Sequence, residues 1–204
     1  ATTLRTLMRR NINTLNQARF ARSLNEAFTR LSAEGRFATA ILASYFASKD
    51  HLIMVNAGHP APLWYRARQR AWRLLRPDIP ERADCLANLP LGIITPTCYH
   101  QFAVPLAVGD MVMIYTDSFT EAKSPSGDLL GEEGLLEMVG HLDPADPLGF
   151  REALLRALEQ YRGHAPAEDD LTLLLLHHNG ADPPWPGVGE TLRNIGKLVG
   201  LVKY

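Results

Sequence analysis

The turn-like residues Ser48-Lys49-Asp50 lie between two short apolar segments, and this short spacing strongly constrains the fold. Residues 40–46 read AILASYF and residues 51–55 read HLIMV, which is the partly β-branched and aromatic composition typical of strands. A connection this short joins two strands as a hairpin. We therefore predict antiparallel strands at 38–47 and 51–56.

Further short apolar segments follow, most of them joined by turn-like connections. They predict strands at 62–65, 71–75, 99–104, 111–116 and 171–176. Apolar residues at helical spacing predict helices at 4–18, 24–34, 135–139 and 147–161. Runs of strands between pairs of helices favour an α+β domain, in which helices cover antiparallel sheets, over a series of βαβ units.

Local signals predict where these helices begin and end. Ser23 and Glu26 fit a capping box, so we predict a break between the first two helices and a helical hairpin at the start of the chain. Gly35 can end the second helix in the left-handed conformation. Asp146 and Pro147 fit the cap and the first turn of the last helix before the final strand.

Composition bears on the class of protein and on its partners. No apolar run approaches the ~18 residues that would span a bilayer, and the arginine-containing start lacks the apolar stretch of a signal peptide, so we predict a cytoplasmic protein with no membrane partner. A formal net charge of −1 gives no general attraction to nucleic acid. Cys85 and Cys98 lack CxxC spacing, and we predict buried, reduced thiols.

The end of the chain differs in character from the rest. Residues 179–188 read as a proline-broken linker, and residues 189–204 carry an amphipathic stripe that predicts a C-terminal helix. This helix either packs back on its own domain or docks on another subunit, as in a homodimer, or on a partner. We favour packing on its own domain, because most amphipathic helices are intramolecular.

Carboxylates follow the strand at 111–116 and precede the strand at 171–176. Asp117 comes directly after the first, and Glu168-Asp169-Asp170 lies directly before the second. An aspartate at a strand end is often only a turn former or a helix cap. If the two strands are neighbours, however, these carboxylates meet at one edge of the sheet and supply the oxygen ligands that a hard divalent cation prefers.

Seven pieces of sequence occur in a particular order: Phe37-Ala38-Thr39, Asn56-Ala57-Gly58-His59-Pro60, Leu89-Pro90-Leu91-Gly92-Ile93, Gly109-Asp110, Tyr115-Thr116-Asp117 with Thr120-Glu121-Ala122, Gly131, and Asp169-Asp170-Leu171-Thr172. In this order they resemble the SpoIIE/RsbU-like branch of the PPM (type-2C) protein phosphatases. The resemblance covers about residues 5–177. Its most specific pieces are the NAGHP loop at 56–60, the YTD strand end at 115–117 and the DDLT strand start at 169–172.

The resemblance implies a sandwich of two antiparallel sheets flanked by helices, with two Mn²⁺ or Mg²⁺ ions in a cleft at one end. In that family the ions activate a water that attacks a phosphoserine or phosphothreonine directly. Asp117 and Asp169 match the family's metal-binding aspartates, and Asp170 is a weaker candidate. The residues that we expect to shape the cleft are Asn56, Gly58, His59, Ser118 and Glu121.

Two departures from the family pattern bear on activity. Ser118 stands where the family usually has glycine, and its side chain adds bulk where we expect the backbone either to approach the ions closely or to adopt a special conformation. The family's first metal motif, an Asp-bearing strand pair, should precede the first predicted helix, and the sequence starts too late to contain it. We therefore expect residues 1–178 to be an incomplete phosphatase domain, without its N-terminal strands, that comes from a longer protein.

Two functions remain open on these grounds. One is the output domain of a bacterial signalling protein, with an upstream receiver or sensory domain, that dephosphorylates an anti-anti-sigma-type phosphoprotein. The alternative is a catalytically inert PPM-like adaptor that binds a sigma factor or its regulator. The sequence also contains an arginine cluster at 66–76, which we interpret as a solvated hairpin or, less simply, as a surface for an acidic partner or substrate.

Overall fold

The computed structural model describes Thr6, Met8 and residues 16–31, 35–78 and 85–181. The chain divides into two compact units. The first comprises Ala1–Gly58, Pro80–Val104 and Ala181–Tyr204, and the second comprises His59–Ile79 and Pro105–Gly180. Most of the predicted helix at 4–18, and the predicted C-terminal helix at 189–204, lie outside the described residues.

Helix α1 of the first unit runs over Gln17–Leu31 without interruption. The predicted break at Ser23 is therefore wrong. The side chain of Asn16 caps the helix instead, because its Oδ1 accepts a hydrogen bond from the Arg19 amide (2.8 Å). The apolar face continues through Ser23, with Ala21 and Leu24 both buried, and this burial favours one continuous helix over a local capping signal.

The first sheet has the strand order β1-β2-β5. Strands β1 (Ala40–Phe46) and β2 (His51–Ala57) pair antiparallel along their whole length, as predicted. A 3-10 turn at Ala47–Lys49 and the left-handed Asp50 (φ 50°) join them. Strand β5 covers Phe102–Pro105. The core of this unit joins α1 to the sheet and to the 91–99 segment: Ala18, Phe20, Ala21, Leu24, Leu42, Val55, Ala57, Leu91 and Tyr99.

A buried asparagine fixes the segment between β4 and β5 to α1. The side chain of Asn25, which is 1% exposed, donates through Nδ2 to the Ile94 carbonyl (2.9 Å) and accepts through Oδ1 from the Gly92 amide (2.8 Å). In the same segment Cys85 and Cys98 form a disulfide, so the prediction of reduced thiols is wrong. Backbone hydrogen bonds between 86–88 and Cys98 bring the two cysteines together, which their spacing in the sequence does not reveal.

The second unit holds an antiparallel sheet of order β4-β3-β6-β7. Its strands are β3 (Leu63–Arg66), β4 (Ala71–Leu74), β6 (Met111–Tyr115) and β7 (Leu173–His177). Two helices accompany them, α2 (Gly131–Gly140) and α3 (Pro147–Tyr161). As predicted, Asp146 caps α3 by accepting from the Leu148 amide (3.1 Å), and Pro147 lies in its first turn.

The core of the second unit lies between its sheet and its two helices. Successive side chains of a strand point to opposite faces of the sheet, and the residues on one face, such as Met111, Met113 and Tyr115 of β6, belong to this core. The buried residues of this core are Leu63, Met111, Met113, Tyr115, Phe119, Ala122, Leu135, Val139, Phe150, Leu154 and Leu158. Two antiparallel sheets with helices confirm the predicted α+β class. Within the described residues, no helix is long and apolar enough to cross a membrane.

Candidate functional site

The pairing of β6 with β7 brings the two predicted carboxylate segments to one end of the second sheet. Tyr115 lies opposite Leu173, at the end of the ladder. Beyond it, the Thr116 amide donates to the Thr172 carbonyl (3.1 Å), and the Thr172 amide donates to Oγ1 of Thr116 (3.1 Å). The two strands are thus neighbours, and the chain leaves β6 and enters β7 at the same edge.

Asp117 begins a 3-10 turn at Asp117–Phe119 directly after β6. Phe119 is buried and anchors this turn in the core. The carbonyl oxygen of Asp117 accepts from the Glu121 amide (2.8 Å) and from Oγ1 of Thr120 (3.0 Å), and these bonds fix the backbone that follows the side chain. The carboxylate itself is exposed and accepts from the Ser118 amide (3.0 Å).

Ser118, the departure from the family pattern, links the two segments. Its hydroxyl donates to the Asp170 carbonyl (2.9 Å), which also accepts from Oγ1 of Thr116 (3.3 Å). Ser118 lies in the 3-10 turn, where an L residue is unstrained. The backbone therefore does not require glycine here, and the expectation of a special conformation is wrong.

Asp169 and Asp170 lie just before β7, and both are exposed. Oδ1 of Asp169 accepts from the Asp170 amide (2.7 Å). Asp169 lines a cleft together with Ser118 and Glu121, formed between the turn after β6 and the loop that precedes β7. Three of the predicted site residues therefore share this cleft. Asp117 and Asp170 are each hydrogen-bonded to Ser118, one of the three.

Two cationic side chains of this cleft were not predicted from the sequence. Lys123 donates to both carboxylate oxygens of Glu168 (2.9 and 3.0 Å), which joins the turn after β6 to the loop before β7. Arg162, directly after α3, also lines the cleft. No local pattern marks either residue, because the cleft forms only where the loop that contains Arg162 returns to the segment that contains Lys123.

His59 lies in the second unit, half-buried. Burial lowers the pKa of its imidazole, while a hydrogen bond with the Tyr115 backbone and the charge of Asp117 act in the opposite direction. Asn56 and Gly58 belong to the first unit. Gly58 has a φ of 68°, and a Cβ at this position would lie 2.3 Å from Cγ of Pro90, so a glycine is required by both conformation and space.

The donor chemistry of this edge suits a hard divalent ion, since Asp117, Asp169 and Glu121 all offer carboxylate oxygens. Within the described residues, however, no three His, Cys, Asp or Glu side chains form a group that could hold a metal ion. These carboxylates therefore fit part of a metal site and do not complete one.

A family model described as Stage II sporulation protein E (SpoIIE) matches residues 1–179. No curated protein matches the chain significantly.

Solved structures share its fold at low sequence identity. The SiaA-PP2C domain of Pseudomonas aeruginosa has a TM-score of 0.70 and 19% identity, over 86% of this chain and 68% of that one. The RsbU and RsbW domains of a Mycobacterium tuberculosis protein give 0.67 and 20%, over 97% of this chain and 54% of that one. The phosphatase domain of the cell fate determinant SpoIIE from Bacillus subtilis gives 0.62 and 14%, over 90% and 76%. With the family model matching most of its length, the chain belongs to the SpoIIE family, whose phosphatase domains have a PP2C-like fold.

Proposed function

We propose that this chain is the output domain of a bacterial signalling protein and that it contributes to a Mn²⁺- or Mg²⁺-dependent protein serine/threonine phosphatase. The observation that carries the proposal is the register of β6 and β7, which brings Asp117 and the Asp169-Asp170 pair to one edge of the sheet. Membership of the SpoIIE family supports the same reading.

In this proposal the residues of the edge have separate tasks. Asp117 and Asp169 would supply carboxylate oxygens to a divalent ion, and Ser118 holds their two segments together through the Asp170 carbonyl. A bound divalent ion supplies charge neutralisation of a phosphoryl group and lowers the pKa of a bound water. Because two or three carboxylates leave such an ion mostly hydrated, the full site requires further carboxylates from outside the described residues.

We propose a phosphoprotein substrate of the anti-anti-sigma type, dephosphorylated in the cytoplasm. The names of the relatives support this: one similar structure contains RsbU and RsbW domains, and another is a phosphatase domain of a cell fate determinant. The exposed, open edge at Asp117 suits a protein substrate, because a phosphorylated side chain on another surface can reach it.

Metal binding can be tested on this chain alone by paramagnetic broadening of amide signals during a Mn²⁺ titration. We expect selective broadening at 116–121 and 168–172. Asp117→Asn should abolish it, and Asp78→Asn, an exposed aspartate elsewhere in the same unit, should leave it unchanged. If the same amide signals broaden in the Asp117→Asn variant, the ion binds elsewhere and the proposal is wrong.

Activity should depend on the family's first metal motif. We expect residues 1–204 alone to release negligible phosphate from a phosphoserine protein in Mn²⁺, and a protein that also carries the Asp-bearing motif to release it readily. If that longer protein binds its phosphoprotein but releases no phosphate in Mn²⁺, the non-catalytic adaptor replaces the phosphatase.

A further inference from the structure

Five arginines and no acidic residue occur in the eleven residues from 66 to 76, which include the end of β3, the turn and all of β4. We call Arg66, Arg68, Arg70 and Arg73 the arginine hairpin. Arg76 is not included, because it pairs with Glu132. Across the part of the chain that the structure describes, none of the four forms an ion pair.

Two of these guanidinium groups are held in place by a buried tryptophan. Arg73 lies opposite Trp64 in the β3–β4 register, and its guanidinium carbon is 4.2 Å from the centre of the Trp64 ring. The guanidinium carbon of Arg66, two residues along the same strand, is 5.1 Å from that centre. Trp64 is itself fixed by donating through Nε1 to Asp110 (3.1 Å). Stacking orders the cations without neutralising them.

The other two arginines stand at the exposed tip of the hairpin. Arg70 has a left-handed backbone (φ 48°), which glycine or asparagine usually occupies. A cleft opens beside it, with His177 and Gly109 among its lining residues. Asp143 is the carboxylate of this cleft, and it accepts from the Ala145 amide of its own loop (2.9 Å).

We propose that the arginine hairpin is a docking surface for an acidic, extended segment of a partner protein. Arginine suits this role, because its planar fork binds carboxylates in a bidentate manner. On an extended segment, alternate side chains on one face are about 7 Å apart, so successive carboxylates of the segment can reach separate arginines of the hairpin.

The surroundings favour a protein over the other polyanions. Nucleic acid that binds without a duplex groove relies on exposed aromatic rings, and here Trp64 is only 4% exposed and covered by guanidinium groups. A membrane-binding hairpin would carry exposed apolar side chains at its tip, where this one has Ala67, Gln69 and Ala71. The hairpin tip also lies at the opposite end of β6 from Asp117, so docking leaves the carboxylate edge open.

The proposal can be tested by fluorescence anisotropy with a labelled peptide of alternating Glu and Ser, at near-physiological salt. We expect measurable binding by the unaltered chain and at least about tenfold weaker binding by the Arg68→Gln, Arg70→Gln double variant. The control is the Arg151→Gln, Arg156→Gln double variant on α3, whose arginines face Glu152. It removes the same charge and should change the affinity less than twofold.

Both double variants alter exposed residues, and equal thermal melts would show that their folds are intact. Oligothymidylate and phosphatidylserine vesicles serve as competing probes. The proposal is overturned if the unaltered chain does not bind the peptide, if both double variants weaken binding equally, or if either competing probe binds the hairpin more tightly than the peptide does. Loss of Mn²⁺ binding at Asp117 would leave this proposal untouched, so its failure and that of the proposed function are distinguishable.

Discussion

Two aspartates stand at opposite ends of strand β6, and the protein holds them in opposite ways. Asp110 is 2% exposed, and its carboxylate accepts from the Ala67 amide (2.8 Å), the Ala107 amide (3.1 Å) and Nε1 of Trp64 (3.1 Å). Asp117 is exposed, and of its two carboxylate oxygens only Oδ1 accepts a hydrogen bond from the described residues.

This difference separates a structural carboxylate from a candidate ligand. The oxygens of Asp110 are occupied by donors of the protein and have little capacity left for an ion. Those of Asp117 retain lone pairs directed to solvent. Position at a strand end is common to both residues, so the number of satisfied hydrogen bonds, and not the position, distinguishes them.

The largest expected effect is on turnover. In a protein that carries the family's first metal motif, Asp117→Ala should lower kcat for a phosphoserine substrate by roughly three orders of magnitude, because an ion that loses a ligand is poorly positioned. The same substitution should change the free energy of unfolding by less than about 0.5 kcal/mol, since the side chain is exposed. Phosphate release and urea unfolding on the same samples check both parts.

The matched substitution at the other end of β6 should instead have its main effect on stability. Asp110→Ala leaves Trp64 Nε1 and two amides without their acceptor in a buried site, and we expect a loss of about 3 kcal/mol in unfolding free energy. The midpoint of urea unfolding would show it. A loss below about 1 kcal/mol would mean that water replaces the carboxylate, and the contrast between the two aspartates would then be one of degree.

The sequence allowed much of this fold to be predicted, because its strands are short, apolar and bounded by clear turns. Strands β2, β6 and β7 begin within two residues of their predicted starts. The sequence did not predict the start of α1 correctly, because Asn16 and Ser23 are both acceptable helix caps. Only the burial of the helix face decides between them.

Longer-range features of the site could not be read from the sequence. The Ser118 hydroxyl meets a carbonyl 52 residues later in the chain. The carboxylate of Asp110 accepts a hydrogen bond from Trp64, which lies 46 residues earlier in the chain. The motif predicted which carboxylates share the edge, while the bonds that hold them depend on tertiary packing that no local pattern encodes.

A smaller effect is expected at the residue that joins the two segments of the carboxylate edge. Ser118→Ala removes the hydroxyl that donates to Asp170, and we expect a loss of about 1 kcal/mol in unfolding free energy, with faster hydrogen exchange at 169–172. Ser118→Gly introduces the family's usual residue but also removes the hydrogen bond, so it should be no more stable than Ser118→Ala. A more stable Ser118→Gly would show that the contact with Asp170 does not stabilise this edge.

The smallest effect concerns the ion pair of Lys123 with Glu168. Its side chains are 50% and 76% exposed, and exposed pairs contribute little because solvent screens them and ordering costs entropy. We therefore expect Lys123→Met to lower the unfolding free energy by less than about 0.5 kcal/mol. Removing a cation beside Asp169 should also raise the affinity for Mn²⁺, by less than about threefold and only at low ionic strength. Titrations at two salt concentrations would measure this. A stability loss above about 1 kcal/mol would show instead that Lys123, and not Ser118, holds the loop of Asp169 against the end of β6.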